Sequence, residues 1–191
     1  MRIISGSLRG RKIPNVYKIK NVSPSSDFLK GVLFNVIGRD IRGKVFCDLY
    51  AGSGNIGFEA LSRGAAFCVF VETSPALISI IIDLSKKFSI EEKVKIIKKD
   101  VFKALEKGLL KEYKPDYIFL DPPYNSGLCG KTIDGITANL YSHNFNAGNN
   151  RGNNIIVQHD KREILSGEYP PYKLVSEKKH GKSVLSFYRV L

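Results

Sequence analysis

Asp121-Pro122-Pro123-Tyr124 is the segment whose residue types do most together. It follows Asp116-Tyr117-Ile118-Phe119-Leu120, an apolar run that reads as a strand, so the acid stands at a strand tip. The plainest reading is a strand stopped by a di-proline turn. A chemical reading explains more. An exocyclic amino nitrogen on a purine is a poor nucleophile, because its lone pair is delocalised into the ring. Acceptors on both N–H bonds draw that nitrogen toward tetrahedral geometry and localise the pair. The Asp121 carboxylate supplies one acceptor and the Pro122 carbonyl another. Pro122 and Pro123 fix the chain there in an extended conformation. Tyr124 offers a flat face on which a base can stack. A base in a duplex has to be flipped out to reach such a place.

Upstream, Asp48-Leu49-Tyr50-Ala51-Gly52-Ser53-Gly54-Asn55-Ile56-Gly57 closes another apolar run. Gly52, Gly54 and Gly57 spell G-x-G-x-x-G, and Glu72 follows at the next strand tip, as in a dinucleotide-binding turn. Asp48 argues for a different ligand. Pyrophosphate repels a carboxylate placed just before the glycines, whereas the cationic amino group and sulfonium of S-adenosylmethionine are drawn to it. Glu72 can accept hydrogen bonds from ribose hydroxyls in either case. Asp100 suits a contact with an adenine amino group, and equally reads as a helix cap. Acids at three successive strand tips converge on one edge of a parallel sheet. The cofactor set is therefore Asp48, Tyr50, Ala51, Gly52, Ser53, Gly54, Glu72, Thr73, Asp100 and Val101, with S-adenosylhomocysteine as product. Neither the histidines (His143, His159, His180) nor the cysteines show a metal-ligand spacing, and no metal is expected.

Positioning these residues requires an α/β domain. Apolar strands at Lys44–Leu49, Cys68–Glu72, Val94–Ile97, Tyr117–Leu120 and Ile155–Gln158 alternate with helices at about Asn55–Arg63, Pro75–Phe88, Val101–Lys111 and Lys131–Tyr141. Continuous Val/Ile/Phe runs indicate strands buried on both faces, hence a parallel sheet wrapped by helices. Tyr172–Glu177 and Ser183–Val190, joined by the turn Lys178–Lys182, add a terminal antiparallel hairpin. The expectation is a mostly parallel, seven-stranded sheet in one domain over residues 1–191. Residues 1–26 read as a basic hairpin or arm rather than core, and 27–191 as the catalytic core, which a helix to Ile37, capped by Ser26 or Asp27, begins. The asparagine-rich stretch 139–154 reads as a surface loop. Cys47 and Cys68 lie in apolar runs and read as buried thiols of a reducing cytoplasm, the expected location.

Charge points to the partner. The chain has 191 residues, with 30 Lys and Arg against 18 Asp and Glu, a net charge of +12. Residues 1–26 contain Arg2, Arg9, Arg11, Lys12, Lys18 and Lys20 and no acid. A polyanion fits this imbalance, since each neutralised phosphate releases a counterion. Arg9, Arg11, Lys12, Lys179 and Lys182 are the candidate phosphate contacts. No apolar stretch is long enough for a membrane span, and no signal peptide is read.

Asp121-Pro-Pro-Tyr124 resembles the [DNS]-P-P-[YFW] motif of amino-methyltransferases, and Asp48–Gly54 their cofactor loop. More narrowly, the chain is similar to the bacterial 16S rRNA guanine-N2 methyltransferase family. The residues that carry this are Met1–Lys12, Leu33-Phe-Asn35, Asp48–Gly54, Glu59-Ala-Leu-Ser-Arg-Gly-Ala65, Phe70-Val-Glu72, Asp121–Tyr124 and Gly181-Lys182. The resemblance implies a class I Rossmann-like methyltransferase fold. It also implies as substrate a guanine of 16S rRNA in the small ribosomal subunit or its assembly intermediate, met by a monomer. Ser23-Pro24-Ser25, Lys30-Gly31 and Gln158-His159 depart from the family, which reads Arg-Pro-Thr, an acid near Lys30-Gly31, and Glu-His. Adenine-N6 or another base amine, in DNA or a different RNA, meets the same acceptors. A glutamine amide does too, although that class favours Asn at the first motif position. A decayed RNA-binding module would bind RNA without cofactor, and a dehydrogenase would leave Asp121–Tyr124 without a use.

Overall fold

The computed structural model describes residues 1–14, 27–123, 127–140 and 153–190. Tyr124 and residues 141–152 of the asparagine-rich stretch lie outside them, as do Ser26, Lys18 and Lys20.

Five strands form a parallel sheet: β1 (Val45–Asp48), β2 (Phe67–Val71), β3 (Val94–Ile97), β4 (Tyr117–Leu120) and β5 (Asn154–Asp160). The hairpin β7 (Tyr172–His180) and β8 (Ser183–Val190) adds to β5 through β8, antiparallel, with Gln158 opposite Leu185 and Asp160 opposite Ser183. A strand of two residues, β6 (Glu168–Tyr169), pairs with β7 and makes the sheet eight-stranded rather than seven-stranded. It is too short to show any periodicity.

The order β3-β2-β1-β4-β5-β8-β7-β6 reverses direction between β1 and β4. In an open parallel sheet the carboxyl ends on either side of that reversal border a crevice, and this is where such folds bind ligands. Asp48 ends β1 and Asp121 follows β4, so the topology alone brings them to one place.

The helices are α1 (Asp27–Ile37), α2 (Asn55–Ser62), α3 (Pro75–Lys87), α4 (Val101–Glu106) and α5 (Leu128–Leu140). Pro75 at the start of α3 costs no hydrogen bond, because a first-turn N–H has no intrahelical acceptor. The fourth helix stops at Glu106, short of the expected Lys111, because the chain turns through Gly108 at φ 63°. Two apolar clusters cover the two sheet faces, one with Phe34, Phe46, Phe58 and Phe70, the other with Val69, Ile118, Ile133 and Val157. Cys47, Cys68 and Cys129 are buried free thiols.

One expectation is corrected. Residues 2–12 do form a small hairpin, with Arg2 bridged to Lys12, but it is part of the core and not an arm upon it. Ile3 and Ile13 are 1% and 2% exposed and pack among the phenylalanines of the first cluster. The Glu59 carboxylate on α2 accepts the Ile4 and Ser5 N–H groups at 2.8 and 3.1 Å. Ser62 at the end of α2 binds Ser7 and Leu8. Two isoleucines among many basic residues were too weak a pattern to read as buried.

Candidate active site

The glycine loop serves two purposes that its spelling does not separate. Gly57 lies on α2 where a Cβ would stand 2.2 Å from the Phe70 ring and 2.7 Å from Cys68 Sγ, so it lets the helix lie flat on β2. Gly52, at φ 56°, has nothing within 4 Å of where a Cβ would be. Its open side is the face a ligand can approach, and its positive φ suits glycine.

The three strand-tip acids are all engaged by main-chain N–H groups. Asp48 is 2% exposed, and its Oδ2 accepts the Gly57 N–H at 3.2 Å, in the first turn of α2. It therefore lies beneath the loop rather than standing open before it. Burial pushes its carboxyl up to about 8, the Gly57 N–H works against this, and the nearby Asp121 and Glu72 carboxylates add to it. Glu72 joins two loops: Oε2 accepts Gly52 N–H of the glycine loop at 2.9 Å, and Oε1 accepts Thr73 N–H at 2.8 Å and Ser74 N–H at 2.9 Å of its own. Asp100 caps α4 through Phe102 and Lys103 N–H at 3.0 and 3.3 Å, and its side chain is exposed. Tyr50 is half-buried, its hydroxyl 2.8 Å from Thr132 Oγ1 on α5. Ala51, Ser53 and Val101 are buried, and Thr73 is exposed.

Asp121 is half-buried at the tip of β4, with Pro122 buried and Pro123 exposed. Its Oδ2 accepts a hydrogen bond from the Gln158 side-chain amide at 3.1 Å. Gln158 is 2% exposed on the neighbouring strand β5 and is not among the sequence-derived site residues. An amide donor fixes the Asp121 carboxylate in place. Two carboxylates therefore flank the crevice between β1 and β4, with the open face of Gly52 beside them.

A family model described as conserved hypothetical protein 95 matches residues 1–189. A protein of Buchnera aphidicola subsp. Baizongia pistaciae named ribosomal RNA small subunit methyltransferase D is 31% identical over 192 residues, covering 98% of this chain and 91% of its own length. The chain belongs to this family of ribosomal RNA small subunit methyltransferases. A solved structure of the Escherichia coli protein yhhF aligns with a TM-score of 0.80 at 26% identity, covering 100% of this chain and 97% of that one. An RNA methyltransferase of Salinibacter ruber in complex with S-adenosyl-L-homocysteine aligns at 0.64, with 16% identity over 88% of this chain and 94% of that one, a likeness of fold. The architecture is that of class I methyltransferases.

The five basic residues expected to meet substrate are all exposed, and Arg9 stands apart from the others. Arg9 lies on the hairpin turn that packs by Ser62, at the end of α2 away from the glycine loop. Lys12 is bridged to Arg2, whose main-chain oxygen is bound by Lys30, and Lys30 in turn binds Asn55 at the start of α2. Arg11 lies between these ends, its carbonyl bound to Ile3. Lys179 and Lys182 flank the β7–β8 turn at the same sheet edge as Asp121.

Sequence reasoning also left Lys30 without a role. It is fully buried, pairs with Asp27 at 3.2 Å and lies 4.0 Å from Glu59, which joins the hairpin, α1 and α2. A cavity of about 570 Å³ at the other end of α2, lined by Arg39, Arg42 and Arg63, is separate from the acids described above. Among the described residues no group of His, Cys, Asp or Glu has the arrangement of a metal site, and no helix is long and apolar enough to cross a membrane.

Proposed function

We propose that the chain transfers a methyl group to the exocyclic N2 of a guanine in 16S rRNA, using S-adenosylmethionine and releasing S-adenosylhomocysteine. The observation that carries this reading is Asp121, held by Gln158 at the crevice between β1 and β4, beside a glycine loop with an open face. Family membership supports rRNA as the substrate class.

The residues fit a cationic nucleoside. Gly52 leaves room against the main chain, and Glu72 and Asp100 stand at the next two strand tips. Asn55 Nδ2 is a buried donor without a partner among the described residues, next to the loop. Bound there, S-adenosylmethionine supplies an electrophilic methyl on a sulfonium sulfur. The buried Asp48 carboxyl sets the local field, and a cation nearby favours its ionised form. Asp121 and the Pro122 carbonyl accept the two N–H bonds of the guanine amine. Localising that lone pair and aiming it at the methyl is positional and electrostatic catalysis. The Asp121 carboxylate, as acceptor of one N–H, would take the proton that the methylated amine gives up.

Purified protein with labelled S-adenosylmethionine and small subunits from a strain lacking the enzyme tests this. Label is expected in one guanine, located by nuclease mapping and mass spectrometry. Label in an adenine, or no transfer to these subunits, overturns the guanine-N2 reading.

A further inference from the structure

Two separated pieces of the basic surface meet at the first turn of α1. Arg2 Nε pairs with Asp27 at 3.5 Å, and Arg2 is bridged to Lys12. The next residue, Phe28, is 54% exposed, one of three large apolar side chains so exposed among the described residues. Its ring stacks on His180, with centroids 4.0 Å apart and planes 28° apart. His180 ends β7 at the hairpin turn, where Gly181 takes φ 59° and Lys178, Lys179 and Lys182 are all exposed. The acids close by are already matched: Asp27 to Arg2 and Lys30, and Glu177 to Lys179 at 3.9 Å and to Ser186. A lone exposed phenylalanine is unremarkable. A stacked, water-facing pair of flat rings bordered by more cations than acids has the makeup of a single-strand nucleic-acid surface.

Its place in the fold ties it to the site. The strand partner of Gln158 is Leu185, and the hairpin turn lies three residues before it, at Lys182. At the strand rise this is roughly 10 Å along the sheet edge from the Asp121–Gln158 contact, and β7 stands three strand spacings, roughly 14 Å, across from β4.

We propose that Phe28 and His180 form a stacking platform for an RNA base a few nucleotides away from the one held by Asp121. Lys179 and Lys182 on one side, and Arg2 and Lys12 on the other, meet the flanking phosphates. The proposal rests on the RNA reading above and extends it. Any base offers a π-face, so the platform holds the strand without reading its sequence. Stacking a nearby base there offsets part of the cost of unstacking the target base.

The test uses the full chain and an oligoribonucleotide containing 2-aminopurine, whose emission falls on stacking. Titration with the intact protein is expected to quench it. Phe28→Ala is expected to weaken binding about tenfold and abolish the quench, and Phe28→Tyr to keep both. Because Phe28 is uncharged, the salt dependence of Kd should not change with it. A Lys179→Gln, Lys182→Gln double variant should instead lower the log–log salt slope by about 1.4. S-adenosylhomocysteine affinity should match the intact chain in every variant. If Phe28→Ala lowers the melting temperature, His180→Ala, a change at an exposed turn, gives the same reading. Wild-type quench and affinity in both alanine variants, or no RNA binding by the intact chain, overturns the platform. A platform that behaves as described in a protein that methylates no 16S rRNA overturns the proposed function instead.

Discussion

On the β1–β3 half of the sheet edge, Asp48, Glu72 and Asp100 are each bound by main-chain N–H groups. On the β4–β5 half, Asp121 is bound by the side chain of Gln158 on the next strand. Main-chain donors are present whatever the sequence, so Asp48 and Asp100 find them in the turn or helix that follows, and Glu72 finds them in its own turn and in the neighbouring glycine loop. Side-chain support depends on one residue identity at one register, 37 positions away. The first half is pre-ordered by the loop it belongs to, while the second is pre-ordered by sheet pairing.

That contrast predicts separable failures. The largest effect is expected for Asp121→Ala, which removes an acceptor from the reacting amine. Transfer should fall by about 10²–10³-fold, the scale of losing one preorganised hydrogen-bonding group at a reacting centre. Calorimetry with S-adenosylhomocysteine should show unchanged affinity, and equal loss of both would mean that the two halves are not independent. Glu72→Gln should do the reverse. The amide keeps one acceptor oxygen where the carboxylate uses two on Gly52, Thr73 and Ser74. Charge-assisted bonds of this kind contribute about 1.5–3 kcal/mol, so cofactor affinity should fall at least about tenfold and the melting temperature with it.

Gln158 gives a smaller, sharper test. Gln158→Leu removes the donor to Asp121 and should lower kcat at least about tenfold, a hydrogen bond to a charged group being about 1.5–3 kcal/mol, with KM for RNA unchanged. Gln158→Glu places a like charge beside Asp121 and should move the acid limb of the kcat–pH profile upward. A profile identical to wild type in Gln158→Glu would show that the contact does not position Asp121.

A pH-linked effect concerns Asp48. Its folded carboxyl titrates near 8 against an ordinary value near 4, so between those values the native state holds a proton that the unfolded chain has lost. Stability of the ligand-free protein should therefore decline as pH rises from about 4 to about 8 through this group, and Asp48→Asn should flatten the decline in thermal melts. A cationic cofactor favours ionised Asp48, so binding at neutral pH should release up to one proton, countable by calorimetry in buffers of different ionisation enthalpy.

Most of the fold was legible because buried parallel strands announce themselves as apolar runs: Val94–Ile97 and Tyr117–Leu120 fall where the sequence places them. The strand-tip acids were legible for the same reason, since a strand end fixes where its next residue points. What the sequence hid are contacts between side chains on elements that touch only after the sheet closes. Gln158 with Asp121 and Phe28 with His180 have no local pattern. The burial of Ile3 and Ile13 was hidden by the charges around them. Glycine spelling misled in a different way, because Gly57 answers to packing against Phe70 and Gly52 to open space.

The Glu59 tether has a consequence for how the protein is made. The Ile4 main chain is synthesised ahead of its partner carboxylate, which lies 55 residues later. At roughly 5–20 residues per second, that residue follows after about 3–11 s. For that interval a positively charged nascent segment, with two isoleucines still uncovered, travels without its anchor. The hairpin of residues 2–12 is thus made before the helix that seats it, and its docking reports that α2 has formed.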